Sequence, residues 1–589
     1  MPDSTWDSLI ESLGVFGIIG GIILGIQSSY IYYLVSVISL VGLITTDIRK
    51  GKRIAKFYKD KIKSQWGKVH SEQGDFLYIR KLYDLLNIEG KKDFVIDDIT
   101  WRDLNINEIF SEIDHTKSMA GMQYLYYVLR KPIFNEDRLK ERKKKVNLLL
   151  TKKDLAQRIQ YPLAILGKKQ SEEVFTYFKY GLSINTRPLI IYRILSYSFY
   201  IAMILLIFNP GVGFGVLIFL LIINAGIYQR NKVKIAAEID IFHYISNFLK
   251  CAMDISKLDT EGIDIRQERL IYLLEETKEI YKNTSVLKTS HVGRTELQII
   301  MDYINMLTLR EGIVFYKTVD LINEYRDQLF EIYNHIGEID TYISIASYKD
   351  SLKYYTEPKL IENNDRFYLK AEEIYHPLLR DGVPYNFEFD NKGALITGSN
   401  ASGKSTFLRT IGINALFAQT FYLVLARDYT ANYFKLLTSI GTTDNIVEGD
   451  SYFMAEAKSL KRIIDRLDNN QTVLCILDEI FRGTNTAERI SAASEVLEYM
   501  ANVNCLVTAA THDLELTTMV DNKYENYHFK ETIEEKDIKF DYILRHGPTT
   551  SRNAIAILRY LDYPRQIYEN ADNKVKRYEV FSYNKTRSR

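Results

Sequence analysis

The chain has 589 residues, enough for roughly two to four domains, and its 76 lysines and arginines nearly balance 75 aspartates and glutamates, for a formal net charge of +1. That balance excludes a global field that draws polyanions, so any nucleic-acid contact has to come from a local patch. The cysteines, Cys251, Cys475 and Cys505, are scattered with no CxxC pair, which excludes a disulfide framework and a cysteine zinc site.

In chain order, the first feature is an apolar stretch over residues 14–44, interrupted only by Gln27-Ser28-Ser29. As one helix it exceeds the roughly 20 residues needed to span a bilayer; split at Gln27 it makes two short, glycine-rich spans. A secretory signal does not fit, because the leading MPDSTWDSLIES carries acids and no basic region. The bases come afterwards: Arg49, Lys50, Lys52, Arg53, Lys56, Lys59, Lys61, Lys63 and Lys68, against Asp60. By the positive-inside rule this puts the chain past residue 46 in the cytoplasm. Residues 1–70 therefore read as a membrane anchor of one or two spans plus a basic juxtamembrane helix.

Residues 71–187 carry helical patterns, such as MAGMQYLYYVLRKP, which stops at Pro132. The run Arg138, Lys140, Arg142, Lys143, Lys144 and Lys145 is the clearest basic patch away from the apolar segments. Such a run is more often a solvated helix face than a phosphate site. A second apolar pair fills residues 189–228, turning at Asn209-Pro210-Gly211, with Arg187 before it and Gln229-Arg230-Asn231-Lys232 after. A membrane hairpin with both ends cytoplasmic explains that charge pattern, with Arg193 snorkelling to the interface. The competing reading is a hairpin buried in a soluble core; length and the lack of acids favour the membrane. Residues 231–350 form long helices with apolar spacing near 3.6, for example TVDLINEYRDQLFEIYNHI.

Chemistry concentrates in residues 351–570. The apolar run Ala394-Leu395-Ile396-Thr397 leads into Gly398, Ser399, Asn400, Ala401, Ser402, Gly403, Lys404, Ser405 and Thr406, and then into a helical pattern. That is the strand–loop–helix context of a phosphate-binding loop. Its amides cradle β- and γ-phosphates at the positive end of the helix. Lys404 adds a point charge, and the Ser405 hydroxyl is placed to ligate Mg²⁺. A second buried-strand pattern, Val473 to Leu477, ends in Asp478-Glu479, where α/β sheets bind ligands. Asp478 is the candidate for the Mg²⁺ shell and Glu479 for orienting or deprotonating the attacking water. A third strand pattern, Cys505 to Ala509, runs into Thr511-His512-Asp513, with His512 a candidate γ-phosphate sensor. The reading is a Mg²⁺-dependent P-loop ATPase.

These residues also carry a resemblance. ITGSNASGKSTFLRT, LDEIFRGTNTAE and ATHDLELT resemble the Walker A, Walker B and histidine-switch segments of the MutS mismatch-repair ATPases, a branch of the ABC-type fold. DSYFMAEAKSL resembles that family's signature helix, and YHPLL the stretch before its first ATPase strand. Upstream, IDHTKSMAGMQYLYYVLRKPI and IGEIDTYISIA resemble the MutS core helices. The resemblance covers about residues 97–570. It implies pairing of two subunits, each giving its signature serine, here Ser451, to the other's nucleotide, and helices that act as levers between the ATPase and a DNA clamp.

The chain also departs from the family. Only about a hundred residues precede the core. No Phe-x-Glu element stands in an N-terminal domain, since Phe387-Glu388-Phe389 lies next to the ATPase. Ser399 and Ala401 replace a proline and a methionine usual in bacterial repair MutS; both positions contribute backbone, so ATP binding is expected to survive.

The expected architecture is multi-domain α plus α/β. It comprises the anchor at 1–70, a MutS-core-like helical domain at 71–350 containing the membrane hairpin at 189–228, a mainly parallel ABC-type P-loop domain at 351–570, and a polar basic tail at 571–589. The expected function is a dimeric, membrane-anchored ATPase related to mismatch repair, in the cell membrane with its ATPase domain cytoplasmic. It would bind DNA weakly through phosphates. The alternatives are a membrane-tethered mechanical ATPase acting on a protein partner and, ranked last, an ABC-type transporter.

Overall fold

The computed structural model describes residues 5–69, 74–89, 93–168, 174–259, 267–289, 304–362, 366–379, 381–399, 402–441, 452–467, 471–481, 485–534, 537–549, 555, 558–559 and 561–575. They fall into two compact units. One comprises residues 1–68, 117–119 and 151–336; the other comprises 69–116, 120–150 and 337–589.

The first unit is helical. The helices Thr5–Gln27 and Tyr33–Gln65 are joined by a 3-10 turn, Tyr30–Tyr32, at the polar break that the sequence marks. Ser29 caps that turn, its side chain accepting from Ile31 N. The two helices pack antiparallel along a glycine edge: Gly14, Gly17, Gly21 and Gly25 face Leu43, Ser39, Ser36 and Tyr33. Side chains on these glycines would collide with the partner helix; a Cβ on Gly14 would sit 2.7 Å from Leu43 and one on Gly25 2.6 Å from the Tyr33 ring. Close approach through small residues is how helices associate in lipid, where no hydrophobic drive brings them together. Ser36 Oγ adds a 2.8 Å hydrogen bond to Ile18 O across the pair.

A second hairpin joins Pro188–Phe208 to the 47-residue helix Pro210–Ser256. Pro210 opens the long helix, where a missing N–H costs nothing, and the Asn209 side chain caps it by accepting from Val212 N at 3.3 Å. Both helices of the hairpin turn apolar side chains outward, with Ile207 78% and Phe208 83% exposed. Among the described residues three helices are long and apolar enough to cross a membrane: Tyr30–Gln65, Pro188–Phe208 and Pro210–Arg230; Leu13–Gln27 is a shorter apolar helix. Past residue 240 the long helix joins a bundle with Val174–Tyr180, Gln267–Glu276, Lys278–Thr289 and Arg310–Glu324. Its centre is aromatic: Phe178, Phe248 and Tyr333 rings lie 5.6–6.1 Å apart.

The second unit is built on sheets. In chain order its strands are β1 Lys359–Ile361, β2 Tyr368–Ile374, β3 Tyr385–Asp390, β4 Gly393–Thr397, β5 Asp428–Asn432, β6 Lys435–Ser439, β7 Val473–Asp478, β8 Cys505–Ala510, β9 Tyr524–His528, β10 Glu531–Glu534, β11 Asp537–Phe540 and β12 Arg545–His546. A six-stranded sheet runs in the order β12-β9-β4-β8-β7-β6, all parallel except the edge strand β12. A four-stranded mixed sheet, β1-β5-β2-β3, and the hairpin β10-β11 accompany it. Every residue of β7 and β8 is buried, as expected of inner strands covered on both faces. Cys475 and Cys505 lie in them as free, buried thiols.

Residues 69–116 and 120–150 pack with the sheets in this unit. The ties are specific. Asp103 accepts from Thr438 Oγ1 at 2.8 Å and Ile440 N at 2.9 Å, and Ile133 N donates to Gln419 O at 2.8 Å. Arg130 is buried, 4.2 Å over the Trp101 ring, hydrogen-bonded to Ile96 O and Tyr126 Oη and paired with Asp98.

Candidate nucleotide site

The loop after β4 leads straight into the helix Lys404–Thr420. Its two glycines sit where a side chain is strained: Gly398 at φ 142° and Gly403 at φ 104°. Ser402 closes the curl, its hydroxyl donating to Ser399 O at 2.7 Å. Lys404 is buried, and its Nζ donates to Gly398 O at 2.7 Å and Ser399 O at 2.9 Å, spanning the loop from inside. Ser405 and Thr406 follow on the first turn of the helix. Asn400, Ala401 and Ser451 lie outside the described residues.

Neighbouring parallel strands bring the remaining groups. Strand β7 ends at Asp478, whose Oδ2 accepts from Ser405 Oγ at 2.5 Å. The next residue, Glu479, stands at φ 58°, a left-handed conformation that is costly for a non-glycine residue. Its N–H is fixed by Ala510 O at 2.9 Å, so the turn re-aims the carboxylate away from the strand axis. There Glu479 Oε1 meets His512 Nε2 at 2.9 Å. Lys404 Nζ is 3.4 Å from the same ring nitrogen. One nitrogen cannot both donate to Glu479 and accept from Lys404. The shorter contact assigns the proton to the glutamate side. Arg489 and Asp513 brace the histidine loop with an ion pair, Arg489 Nε to Asp513 Oδ2 at 3.0 Å.

Mg²⁺ takes hard oxygen ligands and is held by one or two side chains plus phosphate and water. Ser405 Oγ and Asp478 Oδ2, already side by side, make such a pair. Among the described residues no group of three or more His, Cys, Asp and Glu gathers to hold a metal alone. The Ser405 and Asp478 oxygens, beside the loop, fit a metal shared with a phosphate.

Sequence reasoning missed the cleft beside the loop. It has a volume of about 790 Å³ and is lined by His376, Leu379, Tyr385, Gly403, Thr406 and Tyr542, among others. A Cβ on Gly403 would stand 3.2 Å from the Tyr542 ring, so the glycine lets the aromatic approach the loop. Burial, aided by the Arg409 charge, holds the His376 imidazole down to about 4, so that side chain is neutral at pH 7. The only sequence signal was His376 in YHPLL; Tyr385 and Tyr542 arrive from separate segments with no motif around them.

The family model of MutS domain V matches residues 394–579. The DNA mismatch repair protein MutS of Petrotoga mobilis is 31% identical over 272 residues, 44% of this chain and 33% of that protein. The protein of the same name from Thermus aquaticus is 28% identical over 271 residues, 45% and 32% respectively. That from Streptococcus pyogenes serotype M1 is 26% identical over 317 residues, 52% and 36%. The chain thus aligns with about a third of the length of these relatives. The residues matched by the family model contain the loop, both carboxylates and the histidine, and these similarities over its C-terminal half support a MutS-family protein.

Proposed function

We propose that the chain is a Mg²⁺-dependent ATPase with its catalytic domain at about residues 351–570, of the ABC-type P-loop kind. The observation that carries this is the convergence of Lys404, Ser405, Asp478, Glu479 and His512 at the ends of three adjacent parallel strands. Residues 398–406 hold the phosphates through backbone N–H groups and Lys404. Ser405 and Asp478 would hold Mg²⁺, which would neutralise phosphate charge. Glu479 orients the attacking water and takes its proton, and His512, bonded to Glu479, reports the γ-phosphate to the next loop. The nucleoside lies in the cleft beside Tyr385 and Tyr542. Two copies pair, each giving Ser451 to the other's nucleotide.

The test is nucleotide affinity and turnover of two variants. Glu479→Gln should keep affinity within a few-fold and lower turnover by at least about 100-fold. Lys404→Ala should weaken binding by roughly 10- to 100-fold through lost charge-assisted hydrogen bonds. Unchanged turnover in Glu479→Gln removes that residue as the base.

The two outward-apolar hairpins support a membrane-anchored enzyme with its ATPase on the cytoplasmic side, as do the basic residues that follow each of them. They also favour a second reading over soluble repair: a tethered mechanical ATPase whose DNA contacts are weak, phosphate-mediated and indifferent to mismatches.

A further inference from the structure

Half of the basic run that stood out in the sequence is paired with carboxylates. Lys140 pairs with Glu136 at 2.8 Å, Lys143 with Glu357 at 2.6 Å and Lys145 with Glu141 at 3.0 Å. Arg142 donates to Thr420 O at 2.5 Å. The juxtamembrane bases behave differently. Tyr33–Gln65 is one unbroken helix, and along its cytoplasmic half Arg49, Lys52, Lys56, Lys59 and Lys63 recur at alternating spacings of three and four. That spacing sets them in one stripe. All are exposed, and none has a carboxylate partner among the described residues. Lys59 lies 5.6 Å over the Tyr161 ring, which positions its charge without cancelling it. Ala55, Tyr58 and Ile62 occupy the more buried side of the helix. Asp60 is the one acid between Ile48 and Gln65.

We propose that this stripe is a binding surface for the phosphate backbone of duplex DNA. The proposal rests on the weak DNA binding proposed above and gives it a site, outside the region aligned with MutS relatives. A polyanion suits five unpaired cations in register. Anionic lipid suits only the first turn. A helix continuing straight out of the bilayer rises about 1.5 Å per residue, so Lys56 to Lys63 stand roughly 15–26 Å beyond Thr46. Headgroup potential decays over about 8 Å at physiological salt.

The experiment uses the full chain in nanodiscs of neutral lipid, a fluorescent duplex of random sequence, and salt at about 50 and 200 mM. One variant changes Arg49, Lys52, Lys56, Lys59 and Lys63 to Gln, which keeps helix propensity; another changes Lys140, Lys143, Lys144 and Lys145 to Gln. With five phosphates neutralised, wild-type affinity should fall roughly 500-fold between the two salts. The stripe variant should lose most binding at low salt and most of the salt dependence, with ATP turnover and helical circular dichroism unchanged. The second variant should bind as wild type does. Unchanged DNA binding by the stripe variant overturns this site but leaves weak DNA binding standing. No DNA binding by the wild type overturns both. Nanodiscs with anionic lipid that abolish wild-type DNA binding identify lipid as the occupant and overturn the proposal.

Discussion

Glu479 shows how far a sequence speaks at the scale of one residue. Its identity and place at a strand end were legible, because an apolar run closing in two acids has few uses beside a phosphate loop. Its left-handed backbone and its 2.9 Å contact with His512 were not; they depend on the adjacent strand's Ala510 carbonyl and on a loop more than thirty residues away. The same holds for Tyr385 and Tyr542. In a chain with 43 tyrosines, nothing local marks two of them as the walls of a cleft. His376 yields a pH prediction. Its folded pKa of about 4 lies below the ordinary value of 6.5 because burial, then Arg409, disfavours the charged ring. The unfolded state therefore takes up the proton first. The stabilisation is intact above about pH 6.5 and is lost as pH falls through about 4, reaching a loss of about 2 kcal/mol near pH 5. Denaturant unfolding at about pH 7 and pH 5 should show this drop in the wild type and a smaller one in His376→Gln.

At the scale of elements, strands β4, β7 and β8 were readable because inner parallel strands are continuous apolar runs. The N-terminal stretch was not, since one long span and two short ones share the same composition; the packing of four glycines against Tyr33, Ser36, Ser39 and Leu43 decides for a hairpin. That packing is testable. Gly17→Leu must push against Ser39 and should destabilise the hairpin by about 1–3 kcal/mol. Gly20→Leu meets nothing within 4 Å and should be neutral. Thermal unfolding of both variants in the same detergent measures the difference. The two basic runs taught a similar lesson. Their charges look alike in the sequence, but Glu136 and Glu141 one turn away, and Glu357 far along the chain, pair with three bases of one run, while the stripe of the other has no carboxylate partner among the described residues.

For the whole molecule, the outward apolar faces of both hairpins predict that the protein sediments with membranes and resists carbonate extraction. Because Cys251, Cys475 and Cys505 are buried, a single Asn209→Cys replacement gives a clean reporting thiol. It should react with an impermeant reagent from the side opposite the ATPase; full solubility without detergent returns residues 189–228 to a soluble core. If two such hairpins hold the chain in a bilayer, as proposed, it has also given up a dimension. Copies that pair as proposed would then meet by sliding in a sheet of lipid, pre-oriented, instead of tumbling through a volume. Crowding within the sheet then governs how often they pair, in the way linker length governs an effective concentration. Spreading the same amount of protein over more lipid separates the partners; adding more buffer leaves them where they were.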